Sequence, residues 1–303
     1  MGLTLGEGGT PLVEATALSD ELRMRVFLKC EGLNPTGSFK DRGMAVAVGR
    51  AAERQAHTVV CASTGNTAAS AAAYAARAGL RSVVLTPQGA TASAKRAQAR
   101  AAGACVLELA GSFDDALRCC RELAERDGFA LVNSLNPDRI EGQASVVAEV
   151  LEQLGATPDV IALPYGGGGN TCAVARGLDE AGVVSRIVAG EAAARSTTWA
   201  SAIRIGEPAH AQEVEELRQQ GRVDVQTLSE EEIGAAWREL ATREGVFCEP
   251  ASAAGLAALR RTGSGGVAVC ILTGHGLKDA DAVAEEDAPV VQATIDAILA
   301  AVA

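Results

Sequence analysis

The sequence predicts an α/β protein of two domains, each built on a mostly parallel twisted sheet flanked by helices. Short β-branched runs alternate with longer alanine-rich segments, and strand–helix alternation is typical of a parallel sheet. Hydrophobic residues make up 48% of the chain and aromatic residues only 3%, a composition that suits helices packed closely on a sheet. The length of 303 residues favours about two domains over one.

The amino-terminal half alternates regularly between the two kinds of element. Strands are predicted at residues 26–29, 58–62, 83–85, 105–109 and 129–133. Helices are predicted from about Gly43 to Arg54, from the loop at 63–67 to Arg77, over residues 92–102, and from Phe113 to about Asp127. This strand–helix alternation indicates a parallel sheet.

The segment Asn133-Ser134-Leu135-Asn136-Pro137 interrupts this alternation, and we interpret it as the crossing into the second domain. Strands are predicted beyond it at residues 160–163, 187–189 and 267–272. Helices are predicted at residues 141–154, from the end of the 166–170 segment to about Ala181, near 213–219, near 230–244 and near 251–261. A last helix is predicted at the apolar carboxyl terminus. Residues 195–228 are otherwise polar and are predicted to be irregular.

Charge and cysteine content exclude several classes of partner. A formal charge of -11 argues against nucleic acid or an anionic membrane surface, because phosphate groups attract basic proteins. The eight cysteines include no CxxC pair and lie mostly in apolar segments, so no metal site is predicted and reduced thiols are expected. No signal peptide or membrane-spanning run is visible, and a cytoplasmic location is therefore expected.

Lys40 is the first candidate catalytic residue. It follows the turn-forming pairs Asn34-Pro35 and Thr36-Gly37 and lies at the start of a helix that Ser38 and Asp41 are predicted to cap. Only four of the 27 basic residues are lysines, and a primary amine can form a Schiff base whereas a guanidinium cannot. A cation at the positive end of a helix is electrostatically unfavourable unless an anionic or covalently bound group lies there.

Four consecutive glycines, Gly166, Gly167, Gly168 and Gly169, separate a predicted strand from a predicted helix and are followed by Asn170. Such a turn lets backbone amides approach a phosphate group. A dinucleotide is the main alternative ligand, with Glu191 available for a ribose. The third glycine of the dinucleotide pattern is absent, however: its position holds Thr171 if the pattern starts at Gly166 and Cys172 if it starts at Gly167. The Walker pattern also fails, because Asn170-Thr171 stands where it needs lysine followed by serine or threonine.

Three further loops offer polar groups where predicted strands end. Ser63, Thr64, Asn66 and Thr67 suit a carboxylate or phenolate oxygen, or alternatively only cap the next helix. A second anion site is predicted at Asn133, Ser134 and Arg139. The loop Thr273-Gly274-His275-Gly276 follows the last core strand, where ligands bind in parallel sheets, and its His275 is either an acid–base group or a structural residue.

Together these loops call for a ligand with one phosphate, an aldehyde for Lys40 and a polar ring, which is pyridoxal 5'-phosphate. The chain resembles the threonine synthase family of fold type II (tryptophan synthase β-like) pyridoxal-phosphate enzymes, from Leu5 to Asp279. The resemblance lies in the segments Asn34 to Met44, Ser63 to Thr67, Asn133 to Gln143 (NSLNPDRIEGQ), Glu249 to Ala254 and Leu272 to Asp279.

The resemblance implies a role for each motif. Lys40 would form the Schiff base, Asn66 would contact the ring hydroxyl, residues 166–170 would hold the cofactor phosphate, and Thr273 would face the pyridine nitrogen. The substrate carboxylate side would contact Ser63, Thr64 and Thr67, and the leaving phosphate would contact Thr67, Ser134 and Arg139. The resemblance implies a lyase that converts O-phospho-L-homoserine and water to L-threonine and phosphate.

The same resemblance implies a large cofactor-binding domain of residues 1–40 and 136–303 and a small mobile domain of residues 41–135, with the cofactor in the cleft between them. A homodimer is expected, whereas an allosteric S-adenosylmethionine site is not. Two positions depart from the family pattern, because Gly167 and Glu207 stand where asparagine is usual. Alternative reactions are therefore elimination or replacement on another phosphorylated or phosphonate amino acid, as in cysteate synthase, or a serine/threonine dehydratase reaction. Outside enzymes, the alternative is a catalytically silent binding protein.

Overall fold

Ten strands form two sheets in the computed structural model, which describes residues 2–89, 94–263, 265–283 and 290–302. The larger sheet has the strand order β1-β2-β10-β7-β8-β9. Its strands are β1 (Leu12–Glu14), β2 (Arg25–Cys30), β7 (Val160–Pro164), β8 (Arg186–Ala192), β9 (Val223–Leu228) and β10 (Val267–Leu272). All of its pairings are parallel except that of β1 with β2.

The smaller sheet is entirely parallel and has the order β5-β4-β3-β6. Its strands are β3 (Thr58–Ala62), β4 (Arg81–Pro87), β5 (Cys105–Leu109) and β6 (Phe129–Leu131). The predicted fold class, with two mostly parallel sheets flanked by helices, is confirmed.

Helices cover both faces of each sheet. They are α1 (Thr16–Leu22), α2 (Lys40–Glu53), α3 (Asn66–Ala78), α4 (Ala94–Ala101), α5 (Phe113–Ala124), α6 (Pro137–Leu154), α7 (Gly169–Ala181), α8 (Ala211–Gln219), α9 (Glu230–Glu244), α10 (Ala254–Leu259) and α11 (Ile295–Val302). Of the predicted helix at 92–102, positions 92 and 93 lie outside the described residues. No helix in the described ranges is long and apolar enough to cross a membrane.

Alternate residues of the central strands point into two separate cores. In β7, Val160 and Ala162 belong to the cluster that contacts α9 and α10, whereas Ile161 and Leu163 belong to the cluster with α6 and α7. The same division holds in β3, where Val59 and Val60 belong to different clusters. Burial on both faces explains why these strands are continuous apolar runs and why the sequence predicts them closely.

Three elements of the larger sheet region were missed by the sequence interpretation. Strand β1 and helix α1 precede the first predicted strand, and β9 lies within the segment predicted to be irregular. β9 is an edge strand that pairs with β8 alone, and only its first and last residues are fully buried. The alternation Val-Asp-Val-Gln in this segment was the available signal, since period-two patterning marks a half-buried strand.

The predicted cap of the lysine helix is wrong. α2 begins at Lys40 itself, and its N-terminus has no side-chain capping hydrogen bond. The Asp41 carboxylate instead accepts hydrogen bonds from the backbone N–H and the hydroxyl of Thr36, both at 2.6 Å, and from Ser70 Oγ at 2.6 Å. Asp41 therefore fixes the turn before the helix and connects it to α3.

Candidate active site

The lysine loop and the threonine loop are joined by backbone hydrogen bonds. The Phe39 N–H donates to the Thr273 carbonyl at 2.9 Å, and the His275 N–H donates to the Gly37 carbonyl at 3.0 Å. These loops extend from β2 and β10, which are parallel neighbours, so both leave the same edge of the larger sheet. Lys40 and Thr273, two residues predicted from separate motifs, consequently lie in one site.

Lys40 has an amine of lowered basicity. Burial, with the positive charge of Arg139 as a second cause, lowers its pKa from 10.5 to about 7, while Glu249 opposes the shift. The Nζ atom lies 4.2 Å from the centroid of the Phe39 ring. Close to neutral pH, a substantial share of these amines is unprotonated, and the neutral amine is the form that attacks a carbonyl or accepts a proton.

The glycine turn connects β7 to α7. Gly168 precedes the helix with φ of +87°, a conformation that favours glycine. The side chains that follow the turn have unused polar atoms, because Asn170 Nδ2 and Thr171 Oγ1 are buried and find no hydrogen-bond partner within the described part of the chain. A helix N-terminus with free amide and hydroxyl donors fits the phosphate group of a ligand.

Asn66 is the first residue of α3, and its side chain is held by a buried carboxylate. Asn66 Nδ2 lies 2.8 Å and 3.1 Å from the two carboxylate oxygens of Glu249. Its Oδ1 atom is buried without a partner among the described residues. The alternative that this loop only caps a helix is wrong, because α3 has no side-chain cap and Ser63 Oγ accepts from the Gly65 N–H instead.

Glu249 and Lys95 are site residues that sequence reasoning did not assign. Glu249 is completely buried, and Lys95 Nζ lies 2.8 Å from its Oε1 and 2.8 Å from Asp279 Oδ1. Burial raises the pKa of Glu249, while the Lys95 charge opposes that rise. A side chain at Gly274 would collide with the Glu249 carboxylate and displace it from its present position. A charged residue within the apolar segment Glu249 to Ala254 was the signal that could have identified this position.

The predicted anion segment leads into helix α6. Asn133 is committed to the backbone of Ala62, since its amide donates to the carbonyl and its Oδ1 accepts from the N–H, both at 2.9 Å. Asn136 caps α6, which begins at Pro137 and not at Glu141 as predicted, through a 2.8 Å hydrogen bond from the Asp138 N–H. Thus Asn133 and Asn136 hold the shape of the segment.

Arg139 lies in the first turn of α6 and is fully buried. Its Nη1 donates to the Val132 carbonyl at 2.9 Å, while Nε and Nη2 have no acceptor in the described ranges. Burial lowers the pKa of Arg139 to about 10. An arginine with free donors is rarely buried, because desolvating a charge is costly unless an anion compensates it.

The remaining predicted residues lie around this centre with different exposure. Thr64 is exposed, and Thr67 and Ser134 are partly buried. Thr273 is buried, with its Oγ1 3.1 Å from the hydroxyl of Ser252, a residue not singled out from the sequence. His275 Nδ1 accepts a hydrogen bond from the Leu277 N–H at 3.2 Å and so caps the helical turn that follows it.

The Glu191 carboxylate is bonded to Arg195 and, at 2.7 Å, to Thr227. Because both bonds lie within the protein, this carboxylate is already occupied and does not offer a ribose hydroxyl an unpaired acceptor. This pairing, together with the missing third glycine, removes the support for the dinucleotide alternative.

Unpaired buried polar atoms concentrate in the predicted motifs. Nine such side-chain atoms occur among the described residues, and six of them lie in the lysine, asparagine, arginine and glycine motifs or directly after them. Those six are Ser38 Oγ, Asn66 Oδ1, Arg139 Nε and Nη2, Asn170 Nδ2 and Thr171 Oγ1. Because buried polar groups are normally hydrogen-bonded, this concentration fits a polar, phosphate-bearing ligand.

These features define an enzyme that uses pyridoxal phosphate, and comparisons with known proteins support the same class. The profile described as pyridoxal-phosphate dependent enzyme matches residues 3–274, and the chain belongs to that family. Within it, the chain is 46% identical to threonine synthase from Halalkalibacterium halodurans over 299 aligned residues, covering 91% of this chain and 84% of the relative. It is 45% identical to threonine synthase from Mycobacterium leprae, covering 98% and 89%. The function is therefore threonine synthase-like, that of a pyridoxal-phosphate-dependent lyase.

The fold is also that of solved enzymes with lower identity. An L-serine ammonia-lyase from the fungus Rhizomucor miehei superposes with a TM-score of 0.79 at 23% identity, covering 93% of this chain and 97% of that one. At this identity the likeness concerns the fold alone.

Proposed function

We propose that this enzyme converts O-phospho-L-homoserine and water to L-threonine and phosphate. The observation that carries the proposal is Arg139, a buried guanidinium whose Nε and Nη2 lack acceptors in the described structure and whose charge lowers the pKa of Lys40. A site with both a cofactor amine and a second, separately buried cation suits a substrate that carries its own phosphate.

Four groups of residues would hold the cofactor. Lys40 would bond it covalently, Asn66 would contact its ring hydroxyl, residues 166–170 would bind its phosphate, and Thr273 would face its ring nitrogen. When bound, pyridoxal phosphate supplies an aldehyde that condenses with amines and a ring that withdraws electrons from the adjoining carbon. The buried polar atoms of Asn66 and Asn170 that lack partners within the described residues support this assignment.

Lys40 would also move protons during the reaction. Its neutral amine would take a proton from one substrate carbon and return it to another. A pKa near 7 lets the same group accept and donate protons close to neutral pH.

The substrate would be oriented by side chains outside the cofactor contacts. Ser63, Thr64 and Thr67 would bind the carboxylate side, and Thr67, Ser134 and Arg139 would bind the departing phosphate. Asn133 would contribute through the shape of the segment, since both ends of its amide are bonded to Ala62.

We further propose that residues 41–135 form a small domain that closes over the substrate against residues 1–40 and 136–303. Lys95 of α4 supports this division, because it reaches across to Glu249 and Asp279 in the region of the larger sheet. Closure would exclude bulk water from the reacting centre and would leave inside only the water that the reaction consumes. A homodimer and a cytoplasmic location complete the proposal, the latter supported by eight cysteines that all remain free thiols.

A dehydratase acting on serine or threonine is the second candidate. The glycine turn favours it, because Gly167 contributes no side chain that could contact a substrate phosphate. The space would admit one, since a Cβ at Gly167 would meet only Ile205 Cδ1, at 3.5 Å. Glu207, the other position that departs from the family pattern, is exposed. Its exposure gives no support to a direct substrate contact.

The test is a product analysis of the holoenzyme with phosphohomoserine, phosphoserine, serine and threonine, following phosphate, amino acids and ammonia. We expect phosphate and threonine in equal amounts from phosphohomoserine, and Lys40→Ala to abolish their formation. Ammonia released from serine or threonine, without threonine formation from phosphohomoserine, would establish the dehydratase instead.

A further inference from the structure

His210 connects the glycine turn to the predicted anion segment. Its backbone N–H donates to the Gly167 carbonyl at 3.0 Å. Its ring Nε2 lies 3.0 Å from the Ser134 carbonyl oxygen, and Nδ1 lies 3.2 Å from a carboxylate oxygen of Glu213. Because a carbonyl only accepts hydrogen bonds, Nε2 carries the hydrogen in this contact. The residue is 8% exposed, so the contact is largely shielded from water.

The His210 side chain lies beside the glycine turn, at positions where the turn has no side chains of its own. A Cβ at Gly168 would be 3.0 Å from His210 Cβ, and one at Gly169 would be 3.5 Å from His210 Cδ2. The glycines thus allow the histidine to approach the turn closely. Its Cβ lies beside Gly168, while its ring lies beside Gly169 and extends to Ser134.

The anion segment is fixed on its other side by the smaller sheet. Asn133 is bonded to Ala62 at the end of β3, and Arg139 is bonded to the Val132 carbonyl. The His210 hydrogen bond therefore ties the same segment to a turn of the larger sheet. Loss of this bond would leave the Ser134 carbonyl without its donor and relax the segment that presents Arg139.

We propose that His210 is a positioning residue that sets the affinity of this enzyme for phosphate at the substrate position. It acts through Ser134 and not by touching the reacting atoms. The proposal rests on the proposed function in assigning the Ser134–Arg139 segment to the substrate phosphate.

The test compares His210→Ala and His210→Gln with the wild-type holoenzyme. Alanine keeps the backbone bond to Gly167 and the Cβ beside Gly168 but removes the ring, which makes the hydrogen bond with Ser134 and lies beside Gly169. Glutamine restores an amide N–H donor. His57→Ala is the matched control, since His57 is exposed and contacts Thr58 and Phe129 away from the site.

Two quantities are measured. The first is the Kd for inorganic phosphate by calorimetry on the holoenzyme, in which the cofactor phosphate site is already filled. The second is the division of the kinetic effect between kcat and KM for phosphohomoserine. We expect His210→Ala to raise both Kd and KM about tenfold, as loss of one buried hydrogen bond does. The value of kcat and the cofactor Kd should change by less than about threefold, and His210→Gln and His57→Ala should stay near wild type.

The inference is overturned if His210→Ala binds phosphate as tightly as wild type, if it loses cofactor and phosphate affinity together, or if glutamine restores nothing. Failure of the proposed function is a separate result. Wild-type enzyme that binds phosphate but makes no threonine would refute the reaction, and the calorimetric comparison would still decide the role of His210.

Discussion

Replacing Arg139 by methionine should stabilise the cofactor-free protein while removing its affinity for phosphate. The guanidinium is fully buried, and only its Nη1 has a hydrogen-bond partner in the described structure, the Val132 carbonyl. Such a residue stabilises the protein only when an anion is bound. Methionine fills a similar volume without a charge or hydrogen-bond donors.

The magnitude follows from the contacts of Arg139. Nε and Nη2 each cost about 1–3 kcal/mol as buried donors without acceptors. The substitution removes both costs but leaves the Val132 carbonyl unpaired, which costs about 1–3 kcal/mol. We therefore expect the free energy of unfolding to rise by about 2 kcal/mol, within the range found when buried charges are replaced by apolar residues.

Arg42 provides a matched control, because it is equally buried but fully paired. Its Nε and Nη2 bond the completely buried Glu31 at 2.6 and 2.8 Å, and its Nη1 and Nη2 bond Glu149 at 2.7 Å each. Arg42→Met leaves the Glu31 carboxylate buried without its cation, with Thr10 and Asn34 as its remaining donors, and we expect a loss of about 3–5 kcal/mol. The two substitutions should thus have effects of opposite sign.

The assay is urea unfolding of the cofactor-free variants in phosphate-free buffer, together with phosphate calorimetry on the holoenzymes. An Arg139→Met protein less stable than wild type, or one that still binds phosphate with wild-type affinity, would refute the argument that this arginine is held in place for an anionic ligand.

Three further predictions follow from the same site. The rate at which cofactor-free enzyme reacts with pyridoxal phosphate should rise between pH 6 and 8 and then level off, because the Lys40 amine is neutral above its pKa of about 7. Arg139→Met should move the midpoint of this rise to higher pH, because it removes a positive charge that lowers the Lys40 pKa. Gly168→Ala should weaken cofactor binding about tenfold, since its φ is +87°, whereas Gly167→Ala should bind normally. Lys95→Met should cost about 3 kcal/mol in urea unfolding, because it removes the cation that bonds Glu249 and Asp279.

Each of these has a contrary outcome. A reaction rate that climbs steadily to pH 10 would mean an ordinary lysine pKa. Equal cofactor affinities of the two glycine variants would mean that the turn does not need the left-handed conformation of Gly168. An unchanged free energy of unfolding in Lys95→Met would mean that its two carboxylates are stabilised by other contacts. Lys29→Met, which removes a buried lysine bonded to Glu149 at 2.8 Å outside the site, provides the comparison for the last case.

The sequence by itself determined the class of fold and the position of each motif. Buried strands such as β7 and β3 are continuous apolar runs, and the turns at Gly37 and Gly168 depend on residues adjacent in the chain. Local chemistry therefore specifies Lys40 at a helix start and the glycine turn after a strand. Local patterns were insufficient at the sheet edge, where β9 is half-buried and polar.

The tertiary structure decided which distant side chains meet and which polar atoms remain unpaired. Asn66 and Glu249 are 183 residues apart, and His210 reaches Ser134 across 76 residues. The sequence also predicted an anion site at Arg139 but could not show that its Nε and Nη2 lack acceptors among the described residues. Helical and strand propensities depend on neighbours a few positions away, whereas these contacts depend on how two sheets pack, so only the folded chain reveals them.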